Sequence, residues 1–136
     1  MEHQVALELV PELRAPRAAR VFAAETLADW NLPAERVEAV QLVVSELVTN
    51  ALRYAPESPM ITVQLRAADG SVHIRVSDRG GGTPERQSEP DPGSSSEGGR
   101  GVWIVDAFTD EWGTEQDAQG GKTVWCTVSA EPAPER

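Results

Sequence analysis

A chain of 136 residues is the size of one domain, long enough to bury about two-thirds of its unfolded surface without a disulfide or metal staple. With 40% apolar and 25% charged residues it has the composition of an ordinary globular protein, and its net charge of −10 argues against a nucleic-acid or anionic-membrane partner, whose phosphates would be repelled. The single cysteine, Cys126, excludes a disulfide framework and a Cys-based zinc site, no run reaches transmembrane length, and Met1 to Val10 lacks signal-peptide character, so the cytoplasm is the expected location.

Val5, Leu7 and Leu9 alternate and predict a first strand over 5–10, which Pro11 ends. From Pro16 to Trp30 the apolar residues Ala19, Val21, Phe22, Leu27 and Trp30 repeat at helical spacing, and Pro16 suits a helix start. Arg14, Arg17 and Arg20 fall three apart. They form either a solvated face or a basic edge that meets a partner. Asn31-Leu32-Pro33 separates this helix from a second, central one that runs to about Tyr54. Its stripe of Val37, Val40, Val44, Leu47, Val48 and Ala51 faces a core. Glu46 and Asn50, four apart, project from one side, one above the other. A carboxylate beside a carboxamide can hold a divalent cation and orient a hydroxyl; the same pair also reads as a plain polar edge.

A hairpin is predicted next. Ile61, Val63 and Leu65 alternate, Ala67-Ala68-Asp69-Gly70 supplies the turn, and Val72, Ile74 and Val76 alternate again. His73 lies on the other face and is expected at the surface. The second strand stops at Ser77-Asp78-Arg79-Gly80-Gly81-Gly82. Such glycines make either a loose loop or a place where the backbone comes very close to a ligand. Asp78 could then accept a hydrogen bond from an exocyclic amine.

Residues 83–97 are rich in Pro, Ser, Glu and Gly and form a long loop, functional or disordered. Gly98-Gly99-Arg100-Gly101 opens into an apolar segment, 102–108, that reads as a short helix. A glycine turn leading into a helix N-terminus suits an anion. Two strands, 110–114 and 122–128, finish the domain, with Val124, Cys126 and Val128 on one face and Cys126 expected as a small buried hydrophobe. Residues 131–136 are a tail, leaving 1–130 as a single domain. Paired strands and helices grouped apart predict an α+β fold: a two-layer α/β sandwich with a mostly antiparallel sheet packed against helices.

Glu46-x-x-x-Asn50, Asp78-x-Gly80-x-Gly82 and Gly99-x-Gly101, in this order, resemble the three nucleotide-binding boxes of the GHKL, or histidine-kinase-like, ATP-binding fold. The resemblance covers about residues 5 to 129. Val44-Ser45-Glu46-Leu47-Val48-Thr49-Asn50-Ala51 and Gly121-Lys122-Thr123-Val124-Trp125 are most similar to the short anti-sigma-factor serine/threonine-protein kinases of actinobacteria. The resemblance implies ATP and Mg²⁺ as cofactors, with Asn50 as the Mg²⁺ ligand and Glu46 as the base that takes a proton from the attacking hydroxyl. Asp78 would bind the adenine amino group, with Thr123 supporting it through water. Gly80 and Gly82 would let the base approach, Gly99 and Gly101 would cradle phosphates, and 83–97 would be the lid. Some relatives carry a basic lid residue before the last glycine box, where this chain has Glu97 and Gly98. Arg100 or Arg86 would have to supply that charge, and Arg53 would also approach the phosphates.

The resemblance implies an anti-sigma factor that binds a sigma factor and phosphorylates an antagonist protein on serine or threonine; homodimerisation is common in that family. An alternative is a non-catalytic module that sequesters a transcription regulator according to the nucleotide it holds. A third reading, the ATPase module of a larger machine, finds no support in His3 and His73, the only histidines, because neither lies in a helical hairpin.

Overall fold

The computed structural model describes residues 3–55, 57–79, 109–116, 118 and 120–130. The expected lid, the short helix at 102–108, the tail, and Gly80, Gly82, Gly99, Arg100 and Gly101 lie outside the described residues. The elements are β1 (His3–Leu9), α1 (Ala15–Asp29), α2 (Ala34–Tyr54), β2 (Ile61–Ala68), β3 (Ser71–Asp78), β4 (Glu111–Gln116) and β5 (Lys122–Ser129). The strands form one sheet in the order β1-β2-β3-β5-β4, with every neighbouring pair antiparallel. The two helices pack on each other and cover one face, α2 over β2, β3 and β5 and α1 over β1. This is the α+β two-layer sandwich that the strand and helix order predicts.

The alternation in each strand decides which side chains meet the helices. Ile61, Val63 and Leu65 of β2, Val72, Ile74 and Val76 of β3, and Cys126 and Val128 of β5 are buried. From above, α2 adds Val40, Val43, Val44, Leu47 and Val48, and α1 adds Ala19, Ala23 and Leu27. Burying each large aliphatic contributes about 1.5–3 kcal/mol, so this contact area holds the layers in register. Alanines in α1 let its backbone come close to α2.

Trp30, Asn31 and Leu32 end α1 in a Schellman motif. The Leu32 N–H donates to the Leu27 carbonyl at 3.2 Å and the Asn31 N–H to the Ala28 carbonyl at 3.1 Å. Asn31 takes the left-handed conformation, φ 60°, as the motif requires at this position. Leu32 packs back on the core. The β2–β3 hairpin turns more tightly than its sequence suggests. Ala67 and Ala68 stay in the strand, paired with Val72 and Ser71. Only Asp69 and Gly70 turn, at φ 57° and 76°, the pattern of a two-residue type I′ loop. His73 lies on the helix-free face, as alternation predicts, yet it is half-buried and its Nε2 is covered, with no hydrogen-bond partner.

Candidate functional site

α2 carries Glu46 and Asn50 half-buried on one flank of its core stripe. Tyr54 is the next residue in that i, i+4 ladder and is also half-buried. The ladder therefore runs about 12 Å along the helix at a rise of 1.5 Å per residue. Two contacts fix the helix here. Arg20 Nη1 donates to Ser45 Oγ at 2.8 Å, tying α1 to α2 beside Glu46. Thr49 Oγ1 donates to the Ser45 carbonyl at 2.8 Å. Arg20 is thus an interhelical strut, while Arg14 and Arg17 are exposed. The three arginines do not make one edge. Arg53 is exposed near the C-terminal end of α2.

Asp78 is the last residue of β3 and is buried, 8% exposed. It follows Val72, Ile74 and Val76 on the face that meets the helices. Just beyond it the Arg79 N–H donates to Ser58 Oγ at 2.9 Å, and that hydroxyl donates to the Met60 carbonyl at 2.8 Å. Buried Ser58 thereby clamps the point where β3 leaves the sheet to the segment between α2 and β2.

The structure does not bring Thr123 to Asp78. Thr123 is paired with Ser77, and the two hydroxyls bond to each other at 2.8 Å on the helix-free face. The β5 residue across from Asp78 is Lys122. Burial holds the Lys122 ammonium below the usual lysine range, and the charge of Asp78 opposes that shift. Lys122 Nζ also lies 6.0 Å from the centroid of the Tyr54 ring, a cation–π distance. Lys122 thus joins the two halves of the site: Glu46, Asn50 and Tyr54 on the helix, and Asp78 on the sheet. Sequence reasoning missed Lys122, Tyr54 and Ser58. The strand pattern contained a signal for the first, since Val124, Cys126 and Val128 on one face place Lys122 on that face and Thr123 on the other.

A buried carboxylate at a strand end, with a polar ladder rising from it along a helix, can hold a ligand with an amine at one end and anionic oxygens at the other. Residues 9–128 match the family model described as a histidine kinase-like ATPase domain. The chain belongs to that family. Within it, the chain is similar to the anti-sigma F factor of Geobacillus stearothermophilus, 26% identical over 92% of this chain and 91% of the relative. It is also similar to the anti-sigma F factor of Clostridium botulinum strain Eklund 17B, 28% identical over 90% of this chain and 92% of the relative. The fold matches a crystal structure of the RsbU and RsbW domains of Rv1364c from Mycobacterium tuberculosis, with a TM-score of 0.71 at 23% identity. That match covers 96% of this chain and 34% of the larger one. Among the described residues no helix is long and apolar enough to cross a membrane.

Proposed function

We propose that this chain is an ATP-dependent anti-sigma factor with serine/threonine kinase activity toward an antagonist protein. The observation that carries the reading is Lys122, which stands across from Asp78 on the sheet and beside Tyr54, the last residue of the Glu46-Asn50-Tyr54 ladder of α2. It is supported by similarity to anti-sigma F factors along nine-tenths of the chain or more. Asp78 accepts the amino group of adenine, and the triphosphate runs along the flank of α2. Gly80 and Gly82 admit the base, Gly99, Arg100 and Gly101 hold phosphate oxygens, and Arg53 adds positive charge from the helix end.

The side chains fit a nucleotide-borne magnesium ion. Among the described residues no three His, Cys, Asp or Glu side chains converge on a metal position. Mg²⁺ commonly takes one or two protein oxygens and completes its shell with phosphates and water, and the Asn50 carboxamide oxygen offers one. Bound there, the ion would neutralise charge on the phosphates.

Glu46, one turn before Asn50, takes the proton from the serine or threonine hydroxyl of the antagonist. That oxygen forms a bond to the γ-phosphorus as the bond to the β–γ bridging oxygen breaks, and ADP leaves. Incubating the protein with radiolabelled ATP and candidate antagonists tests the reaction. A labelled serine or threonine is expected. Nucleotide-dependent partner binding without any phosphoprotein would instead establish the non-catalytic module. Sigma-factor binding is tested by pull-down in ATP and in ADP, and homodimerisation by sedimentation.

A further inference from the structure

The site holds a charged donor that neither the fold family nor the relatives' names assign. Among the described residues of β5, the face turned to the helices presents Lys122, Val124, Cys126 and Val128. Only the lysine is a strong hydrogen-bond donor. A lysine at a strand end ordinarily extends its ammonium into water. This one is half-buried, lies across from the Asp78 carboxylate, and has its nitrogen 6.0 Å from the Tyr54 ring centroid. Donor and acceptor thus stand side by side on adjacent strands, about 4.8 Å apart in backbone spacing. Burial lowers the pKa of the ammonium and the charge of Asp78 opposes that shift.

An adenine edge has the complementary pattern. Its amino group donates and is flanked by ring nitrogens that accept. We infer that Lys122 is a base-reading residue: its ammonium donates to a ring nitrogen flanking the amino group that Asp78 accepts, so that the two side chains together select adenine. The inference rests on the ATP reading above and deepens it. Tyr54 lines the same corner and steers the ammonium toward the base. Thr123, turned to the other face and bonded to Ser77, takes no direct part.

The test is a cycle between side chain and ligand atom. ATP, 1-deaza-ATP and 7-deaza-ATP, each with Mg²⁺, are titrated calorimetrically into the wild-type chain, K122M and K122Q. Wild type should bind one of the two deaza analogues about tenfold more weakly than ATP, the loss of one charged hydrogen bond. K122M should bind ATP and that analogue alike, and K122Q, which regains an N–H donor, should restore part of the preference. If wild type binds ATP but K122M keeps the same discrimination, Lys122 does not read the base and the inference is overturned while the nucleotide reading stands. Equal loss of all three nucleotides in K122M, not restored in K122Q, marks a structural role and also overturns it. Failure of wild type to bind any of the three removes both readings.

Discussion

Ser58, in the segment between α2 and β2, and Ser77, in β3, separate the roles of the sheet's two faces. Ser58 is 3% exposed, and its hydroxyl bridges the Arg79 N–H and the Met60 carbonyl at 2.9 and 2.8 Å. Ser58→Ala removes both bonds at a covered position. At about 1 kcal/mol per hydrogen bond the cost is about 2 kcal/mol. For 136 residues, an unfolding entropy near 2.1 cal/mol/K per residue converts this to a fall in Tm of about 7 °C. Arg79 directly follows Asp78, so loosening it also frees the carboxylate proposed to bind adenine. If about 1 kcal/mol of that is felt in binding, the ATP Kd rises about fivefold. Ser77→Ala removes a hydroxyl pair only half-buried on the opposite face. Thr123 can then turn to water, so the cost is below about 1 kcal/mol and the ATP Kd is unchanged. Urea unfolding and calorimetric ATP titration of both variants make the comparison. An unchanged ATP Kd in Ser58→Ala, or a larger rise in Ser77→Ala, would refute the placement of the site on the helix-covered face.

Glu46→Gln should lower phosphotransfer about a hundredfold or more by removing the proposed base, with ATP affinity unchanged in calorimetry because the carboxamide preserves shape. Asn31→Ala should cost about 1 kcal/mol in urea unfolding, since alanine lacks the short polar side chain that lets asparagine tolerate φ 60°; Asn31→Gly should cost almost nothing. Burial pushes the Cys126 thiol up from 9.0 to about 12, so it should react with a thiol reagent only as fast as the protein opens. The raised value contributes stability that is whole below the unfolded thiol's pKa and is lost as pH rises through about 12. Wild type should therefore lose stability in alkali more steeply than Cys126→Ala, by at most about 1.4 kcal/mol per pH unit.

The layer order and the inward faces of β1, β2, β3 and β5 were legible because alternation over four or more residues leaves only one way to bury each strand. Glu46 and Asn50 were placed by the same kind of spacing. The turn at Asp69-Gly70 was read two residues too wide, since alanine is compatible with either strand or turn. Arg20 was read with Arg14 and Arg17 because a period of three ignores what packs above the helix; Ser45 of α2 supplies its partner. Thr123 was named by resemblance; the β5 period places it opposite Ser77 and places Lys122 opposite Asp78. His73 was assigned correctly to its face, but its burial depends on neighbours from other strands and the sequence carries no local sign of them. Asn31 made a recognisable break between helices, yet its left-handed cap became visible only with the two backbone bonds that define it.

The central claim is that ATP binds with its base on Asp78. Its most direct measurement is calorimetric titration of ATP with Mg²⁺ into wild type and Asp78→Asn. The account predicts saturable binding to wild type and an affinity at least about tenfold lower in the variant, the cost of losing one charged hydrogen bond to the amine. Absence of binding to wild type, or equal binding to both, would contradict it.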